Sequence, residues 1–467
     1  MIQSETICAI ATAPGSAAIA LIRVSGSETF SIVSSIFQSA KKTFLLNSVE
    51  GNTIHFGKIV NGEIVIDEVL LSVFKAPHSY TSEDSCEITC HASPYIQKEI
   101  IKLLISKGAR LAQPGEYTMR AFMNGKMDLS QAEAVADLIA SQSEAAHRLA
   151  LSQLRGGYAS TLSILRNKLL KFSSLIELEL DFSEEDVEFA DRKTLLALCD
   201  EIKETLTGLV ESFSTGNAVK NGISVAIVGE PNVGKSTLLN ALLNEERAIV
   251  SEIPGTTRDT IEDLLTIQGV MFRFIDTAGI RHTTDSIEKI GIKKTYEKIA
   301  EASIILLLVD AKDLLEVIEN RLAEVKSKIL PKSKICLLLN KIDTVESKHI
   351  DFLLESLQTE HKPEDIITIS AKQGVHIKKL KDSLVETVNL GVLSQHDSVV
   401  TNARHFEALS HALESIIIVE NGLQSDVPND LVSIDIKQVL YYLGSITGKI
   451  TNDETLGFIF HNFCIGK

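Results

Sequence analysis

The pattern of apolar and polar positions changes in character along the chain. From residue 1 to about 120, short alternating or apolar runs such as Glu63–Asp67 and Val69–Phe74 are separated by Gly, Pro and Ser turns. Such short runs between turns predict an α+β domain. From Asp128, which is a candidate N-cap, apolar residues recur at helical spacing as far as Ile139.

Long helices are predicted over the next part of the chain. Gly156 and Gly157 interrupt the first helical stretch, a second one extends to about Leu180, and a third begins near Arg192. The acidic residues from Glu184 onward are interpreted as a solvated connector. Two further helices are predicted much later, over about 403–422 and 430–444.

Between these helical regions the pattern alternates between strands and helices. The apolar runs Ile223–Val228, Met271–Ile275, Ile335–Leu339 and Ile366–Ile369 predict buried strands, Thr237–Leu243 predicts a helix, and a last helix ends near residue 389. Alternation of this kind is typical of a parallel sheet covered by helices.

Composition limits the class of protein. The chain has 467 residues, 44% of them hydrophobic, which is enough for about three domains. No apolar run approaches the roughly 18 residues that a membrane span needs, and the start lacks a basic signal region, so a soluble cytoplasmic protein is expected. The net charge of −16 argues against broad adhesion to RNA. Six cysteines without Cys-x-x-Cys spacing make zinc unexpected and favour a reducing compartment.

A P-loop follows the strand Ile223–Val228. The segment Gly229-Glu-Pro-Asn-Val-Gly234-Lys235-Ser236 matches G-x-x-x-x-G-K-[ST], and its strand–loop–helix context is the one in which this loop binds phosphates. Backbone N–H groups and the helix N-terminus attract the anion. Lys235 is expected to reach the β- and γ-phosphates and Ser236 to hold Mg²⁺. The loop residues Asn232, Val233 and Gly234, and Thr237 after them, complete the predicted nucleotide contacts.

Two later segments predict that the base is guanine. Asn340-Lys341-Ile-Asp343 ends one strand and Ser370-Ala371-Lys372 follows another, which brings both to the carboxyl edge of the sheet. A carboxylate at position 343 accepts hydrogen bonds from guanine donors that adenine does not offer there, and leaving it unpaired would reject ATP.

Segments that sense the γ-phosphate lie between these motifs. Asp276-Thr277-Ala278-Gly279 follows a predicted strand, and Asp276 can hold Mg²⁺ through water. Thr257 in Gly255–Asp259 can complete the Mg²⁺ shell only while a γ-phosphate is present. Ile280 stands where many small GTPases place a water-orienting glutamine. Positive charge must therefore come from another group, for which Arg258 and Arg281 are nearby alternatives.

The combined pattern resembles the tRNA-modification GTPase family known as MnmE or TrmE. The segments that carry this resemblance are the opening Thr6–Gly15 with Ile22–Gly26, the junction Pro114–Asn124 with Lys126–Ala134, and the ending Cys464-Ile-Gly-Lys467. The resemblance implies a multidomain α/β chain in which a P-loop, Ras-like GTPase domain is inserted into an all-helical domain and preceded by an α+β N-terminal domain. The implied domains are 1–121 for folate binding and dimerisation, 122–215 and 389–467 for the two helical parts, and 216–388 for the GTPase.

The resemblance also implies a potassium ion beside the phosphates. Its implied ligands are the side chain of Asn232 with Ser251, Ile253 and Thr256, and it supplies the charge that other GTPases take from an arginine. Glu288 corresponds to a glutamate that orients the water network, beside the catalytic Lys235 and Thr257. From the local sequence alone, Glu288 is equally compatible with a solvated helix start and Asn232 with a residue that caps its own turn.

The family adds an aminomethyl-type group to carbon 5 of the tRNA wobble uridine as a homodimer in complex with the flavoprotein MnmG. The implied one-carbon donor is 5-formyl-tetrahydrofolate or a related folate, contacted by Arg23, Glu87, Lys126 and Lys467. The stretches Gly15–Ala18 and His91–Ser93 are less glycine-rich than the family pattern, which leaves the shape of the folate pocket open. Cys464 is either a nucleophile or a packed side chain.

One alternative function stays open at this point. The P-loop, the Asn340–Asp343 motif and Ile280 are equally compatible with a regulatory GTPase that binds a ribosome or another assembly partner without any modification chemistry. A folate site in the flanking regions would separate the two, since an assembly GTPase has no need of one.

Overall fold

The computed structural model of the protein covers two compact units. One unit is drawn from Met1–Ala140, Gln153–Lys203 and Ala408–Lys467, and the other from Ser141–Ser152 and Glu204–Glu407. The residues that the structure describes are 5–41, 44–181, 191–243, 262–275, 302–328, 333–358, 366–388, 399–425, 427–461 and 463–466.

The first unit begins with a sheet that, in the described residues, has seven strands in the order β3-β4-β5-β6-β2-β1-β7. The strands are β1 (Ile7–Ile10), β2 (Ile19–Ser25), β3 (Phe37–Ser39), β4 (Thr53–Asn61), β5 (Ile64–Phe74), β6 (Ser85–His91) and β7 (Arg110–Leu111). Neighbours are antiparallel except β1 and β7.

Helices cover one face of this sheet and confirm the predicted α+β character. They are α1 (Thr29–Ser34) and α2 (Pro94–Ser106), whereas α3 (Glu116–Met123) packs its Tyr117 against Ile7 and Ala9 on the opposite face. Because alternate side chains of a strand point to opposite faces, Ile22, Leu71 and Ile88 enter the core with Ile100 of α2. The side chains one position along each strand lie on the opposite face.

Four helices follow: α4 (Leu129–Ala140), α5 (Glu144–Leu154), α6 (Gly157–Asp181) and α7 (Arg192–Asn221). Asp128 caps α4 as predicted, because its Oδ1 accepts the Gln131 N–H over 2.8 Å. Gly156, with φ of 108°, separates α5 from α6 as predicted. The pattern did not predict the break between α4 and α5 at 141–143. There the Ser143 hydroxyl accepts a hydrogen bond from the Ala146 N–H and caps the start of α5. The connector predicted from Glu184 lies outside the described residues.

The second unit contains a parallel sheet with one antiparallel edge. Its elements are β8 (Ile223–Val228), α8 (Lys235–Leu243), β9 (Glu262–Ile267), β10 (Val270–Ile275), β11 (Ile304–Asp310), α9 (Leu315–Lys328), β12 (Lys334–Asn340), α10 (Ser347–Gln358), β13 (Ile366–Thr368) and α11 (Ile377–Thr387). In the described residues the strand order is β13-β12-β11-β8-β10-β9, and β9 and β10 are the antiparallel pair.

The order of strands reverses at β8, and ligands of such sheets bind at that switch point, beyond the carboxyl ends of the strands. The strands on both sides of it are buried, with Leu306 of β11 and Phe272 of β10 fully inaccessible to solvent. The loop after β8 and the end of β12 at Asn340 therefore lie at the same edge.

The chain ends in helices α12 (Ala403–Gln424), α13 (Asn429–Thr447) and α14 (Asp453–His461). The first two were predicted and the third was not. The fold class is confirmed: an α+β N-terminal domain, then helices, with an α/β P-loop domain inserted between helical segments of the chain. Within the described ranges, no helix combines the length and the apolar character needed to span a membrane.

Candidate functional site

The loop after β8 has the close contacts that a phosphate cradle requires. A Cβ on Gly229 would lie 2.4 Å from the Leu308 carbonyl, and one on Gly234 would lie 2.4 Å from the Asn340 Nδ2. Gly234 also has a φ of 109°, so any side chain there would be strained. Asn232 adopts a φ of 63°, a left-handed conformation that asparagine tolerates better than most residues.

Lys235 points into this loop. Its Nζ donates to the carbonyls of Gly229 over 2.6 Å and of Glu230 over 2.8 Å. Lys235 begins helix α8, so the ammonium group and the positive end of the helix coincide. The glycine cradle, the ammonium and the helix N-terminus fit the phosphates of a nucleotide.

Asn340 joins the three predicted nucleotide-binding segments. Its buried side chain donates from Nδ2 to the Val233 carbonyl over 2.7 Å, and its Oδ1 accepts the Ala371 N–H over 3.0 Å. The P-loop, the end of β12 and the segment after β13 are thereby held together. The sequence predicted this proximity from strand order alone.

The carboxylate expected to read guanine is held by a neighbour. The buried Ser370 hydroxyl donates to Asp343 Oδ1 over 2.6 Å, while Asp343 itself is exposed. A fixed, exposed carboxylate fits the N–H donors of guanine. Lys372, predicted to support the base, is exposed.

Lys341 pairs with Asp310 at the end of β11, with 2.8 Å between Nζ and Oδ2. Burial alone would raise the pKa of Asp310, but the hydrogen bonds from Lys341 and the Lys312 N–H outweigh it and lower the pKa. Asp310 therefore stays ionised and fixes the position of this lysine within the base-recognition segment. The sequence pattern did not single out Asp310.

A cavity of about 200 Å³ adjoins the loop. Lys235 and Ser236 line it together with Phe274 and Ile275 from the end of β10. Ser236 and Thr237 are both exposed at the start of α8. The Ser236 hydroxyl is thus available as an oxygen ligand, which is the kind that Mg²⁺ prefers.

Many of the predicted metal and γ-phosphate residues lie outside the described residues. They are Ser251, Ile253, Thr256, Thr257, Asp276, Thr277, Ala278, Gly279 and Glu288, with Ile280, Arg258 and Arg281. Lys467 of the predicted folate set is also outside.

A second cluster forms on the N-terminal sheet. Arg23 of β2 and Glu87 of β6 are directly opposite in the strand register, and Glu87 Oε1 accepts from Arg23 Nε over 2.9 Å and from Nη2 over 2.8 Å. The Arg23 Nη1 donates to the Gly466 carbonyl over 3.2 Å. The C-terminal segment therefore lies against this pair, next to residue 467.

Tyr80 connects the predicted folate-binding cations, and the sequence pattern missed it. The Arg23 guanidinium carbon lies 5.2 Å from the ring centroid of Tyr80, and Lys126 Nζ lies 5.9 Å from it. The Tyr80 hydroxyl forms a hydrogen bond of 2.8 Å with the Thr118 hydroxyl. Lys126 also donates to the Ser79 carbonyl. An aromatic residue in the turn-rich segment between two strands was the available signal.

The stretches that depart from the family pattern differ in exposure. Residues 15–18 are exposed, and a Cβ on Gly15 would meet no atom within 4 Å. Ala92 is buried, and its neighbour His91 pairs with Asp67 over 2.8 Å between Nδ1 and Oδ1. The side chains that replace the family's glycines within 15–18 are therefore exposed to solvent.

Cys464 differs from the other five cysteines. It is exposed, whereas Cys8, Cys86, Cys90, Cys199 and Cys336 are buried. Burial raises the pKa of the Cys8 and Cys90 thiols to about 11 and that of Cys199 to about 12. These three thiols are therefore protonated at neutral pH, and Cys464 is the accessible cysteine.

Family models match both parts of the chain outside the P-loop domain. The model for the GTP-binding protein TrmE N-terminus matches residues 6–126, and the model for the MnmE helical domain matches residues 129–464. The second span includes the inserted P-loop domain, so the two matches together extend over nearly the whole chain.

Known proteins are similar to this chain along nearly the whole length of both. It is 53% identical over 471 residues to the tRNA modification GTPase MnmE of Bacteroides thetaiotaomicron, with 100% of both chains covered. It is 53% identical to the protein of that name from Christiangramia forsetii, with 99% of each covered. It is 54% identical to that of Bacteroides fragilis, with 100% of each covered.

Proposed function

The chain belongs to the MnmE family of tRNA modification GTPases, and we propose that it hydrolyses GTP to drive a conformational change during modification of carbon 5 of the tRNA wobble uridine. The group added is of the aminomethyl type. The N-terminal domain, residues 1–121, binds the folate and dimerises, residues 122–215 and 389–467 form the helical domain, and residues 216–388 turn over GTP.

The observation that carries the nucleotide assignment is the position of Asn340. One side chain bonds to both the P-loop and the segment Ser370–Lys372, so phosphate and base sites have a fixed separation. Lys235 neutralises the phosphates, and Asp343, oriented by Ser370, selects guanine. Val233, Gly234, Ser236 and Thr237 surround the phosphates.

The proposed magnesium and potassium sites each draw one ligand, Ser236 and Asn232 respectively, from the described part of the chain. Ser236 and Thr257 would hold Mg²⁺, with Asp276 through water, next to Thr277, Ala278 and Gly279. Asn232, Ser251, Ile253 and Thr256 would hold K⁺; the Asn232 side chain is exposed at the rim of the loop. A potassium ion held there would supply positive charge beside the γ-phosphate, a role that Ile280 cannot share. Glu288 orients the attacking water.

The N-terminal cluster supports the folate assignment. Arg23 and Lys126 face one aromatic ring, which places two cations where a carboxylate-bearing ligand could meet both. Glu87, whose side chain is still 22% exposed beside Arg23, offers an acceptor for the pterin N–H groups. Lys467, which follows Gly466 in the sequence, would add a third cation. A tetrahydrofolate such as 5-formyl-tetrahydrofolate has both kinds of group.

Net charge and exposed surface support the proposed partners. The outer face of the N-terminal sheet exposes Ile19, Ile54, Phe56 and Leu70 by 60%, 67%, 52% and 45%. Phe56 and Leu70 are directly opposite in the register of β4 and β5. This apolar patch supports a homodimer through the N-terminal domain. With a net charge of −16, much of the tRNA affinity is assigned to the flavoprotein MnmG in the complex, which acts in the cytoplasm.

The alternative, an assembly GTPase without modification chemistry, is less well supported. Identity of 53% extends over the N-terminal and helical regions as well as the P-loop domain. An assembly role alone gives no reason for two cations, Lys126 and the Glu87-paired Arg23, to lie over one aromatic ring.

The test is nucleoside analysis of tRNA by mass spectrometry. A strain that lacks this chain is compared with one that carries it and one that carries Lys235→Ala. Loss of the wobble modification in the first strain, its return with the wild type and its absence with Lys235→Ala support the proposal. Unchanged tRNA nucleosides in the deletion strain would favour the assembly GTPase.

A further inference from the structure

The second residue of the phosphate loop is acidic. Glu230 lies between Gly229 and Pro231, and its carbonyl accepts from the Lys235 ammonium over 2.8 Å. Its side chain is 60% exposed. A carboxylate attached this close to a phosphate-binding ammonium is a like charge to an incoming nucleotide, and like charges in one site disfavour each other.

One arginine neutralises this carboxylate. Arg321 of α9 lies 2.5 Å from Glu230 Oε1 through Nη2, and 2.5 Å from Asp313 Oδ2 through Nη1. The Arg321 side chain is only 20% exposed, and that of Asp313 26%. The partly covered guanidinium is thus held at a fixed position between the helix, the segment after β11 and the P-loop.

The ion pair between Arg321 and Glu230 contributes little to the stability of the fold. Glu230 is largely exposed, and exposed ion pairs contribute little to stability because water screens them and side-chain freedom is lost. Because the pair lies beside the nucleotide site, we expect it to affect nucleotide binding instead. Nucleotide phosphates carry several negative charges at once, so the charge state of the loop matters most to the ligand.

We propose that Arg321 is a positioning residue of the nucleotide site: it neutralises Glu230 and holds that carboxylate away from the phosphates. The proposal rests on the proposed function, in which this loop binds GTP. Its effect grows with ligand charge. Loss of Arg321 weakens binding of a triphosphate more than a diphosphate, and leaves guanosine unaffected.

The experiment measures affinities of the full-length chain for GTPγS, GDP and guanosine by calorimetry at a constant KCl concentration, with the ionic strength set low or high by choline chloride. Arg321→Ala is expected to weaken GTPγS binding by about three- to tenfold at low salt and less at high salt, because screening shortens the reach of the freed carboxylates. The affinity for GDP should fall less than that for GTPγS. Arg321→Lys should recover most of the affinity, as should the double variant Arg321→Ala, Glu230→Gln.

Arg148→Ala is the matched control. It removes the same charge from an exposed pair with Glu144, whose side chains are 71% and 69% exposed. An equal loss for GTPγS and guanosine in Arg321→Ala, a similar loss in Arg148→Ala, or no recovery with Glu230→Gln would overturn the proposal. Unchanged GTPγS affinity in Arg321→Ala would overturn it too. If the wild type binds no guanine nucleotide, the proposed function fails as well.

Discussion

The side chain of Asn340 donates a hydrogen bond of 2.7 Å to the main-chain carbonyl of Val233, so the end of β12 is bonded directly to the phosphate loop. The same side chain accepts from the Ala371 N–H over 3.0 Å. A single buried amide therefore sets the distance between the phosphate and base sites.

Asn340→Ala leaves a buried carbonyl and a buried N–H without their partner, which costs about 1–3 kcal/mol per group. We expect a lower melting temperature without nucleotide and GTP affinity reduced by at least about tenfold. Calorimetry and thermal melting measure both. Asn221→Ala removes an exposed asparagine of the same unit and should change neither. Wild-type GTP affinity in Asn340→Ala would contradict the linking role.

Asp343→Asn tests base selection. The amide of the variant can present a donor where guanine also presents donors, so GTP affinity should fall by about 10- to 100-fold. Xanthine carries a carbonyl in place of the guanine amino group. The affinity of the variant for XTP should therefore fall less than that for GTP, or rise. Competition binding with GTP, XTP and ATP measures the change. Equal losses for GTP and XTP would mean that the carboxylate does not read the base.

Two substitutions at Tyr80 test separately what its ring and its hydroxyl group contribute to folate binding. Tyr80→Phe keeps the ring between Arg23 and Lys126, and Tyr80→Leu removes it. Cation–π contacts are worth about 0.5–2 kcal/mol, so titration with 5-formyl-tetrahydrofolate should show a loss of up to about tenfold in Tyr80→Leu. Tyr80→Phe should bind nearly as the wild type. A larger loss in Tyr80→Phe would assign the effect to the hydroxyl bond with Thr118.

Thiol labelling at pH 7.5 should modify one cysteine per chain quickly. Cys464 is exposed, while burial raises the pKa of Cys8, Cys90 and Cys199 to about 11 or 12 and keeps them protonated. Mass spectrometry of the folded chain after brief treatment with iodoacetamide measures this. Cys464→Ser should leave only slow labelling. Fast labelling of several thiols would contradict the burial of the other five.

Glu116 makes the N-terminal domain sensitive to acid. Burial alone would raise the pKa of Glu116, but the hydrogen bonds from Arg110, the Gln113 N–H and Arg120 outweigh it and lower the pKa. Because the folded pKa lies below the unfolded value, near 4.3, the stabilisation is fully present above that value. It is lost as the pH falls through the folded pKa.

Replacing Glu116 leaves Arg120, which is 2% exposed, without one of its partners. Glu116→Gln should therefore lower the melting temperature at pH 7, by an amount equivalent to about 3 kcal/mol. The difference from wild type should shrink as the pH falls below about 4. A difference that stays constant from pH 7 to pH 3.5 would show that the carboxylate charge is not what stabilises this region.

The sequence predicted the parts of the fold that depend on local pattern. Helices α4, α6 and α7, the P-loop and the proximity of Asn340 to it followed from periodicity and strand order. The central strand β11 was missed, because its apolar run Ile304–Val309 has no nucleotide-binding motif after it. Without such a motif, a continuous apolar run has no period that separates a strand from a buried helix.

Contacts that depend on tertiary register could not be predicted. Arg23 and Glu87 were each assigned to folate, but their pairing follows from the alignment of β2 with β6. Arg321 reaches Glu230 only because α9 packs beside the P-loop, and neither residue type carries a signal for the other.

The central claim is that a potassium ion supplies the charge for GTP hydrolysis that neither Ile280 nor an arginine supplies. It is tested most directly by GTP turnover of the full-length chain in KCl and in NaCl at equal ionic strength, with Asn232→Gly as the variant, because glycine tolerates the φ of 63° and removes only the side chain. We predict turnover at least about tenfold faster in KCl and loss of that difference in the variant. Equal wild-type rates in the two salts would contradict the claim.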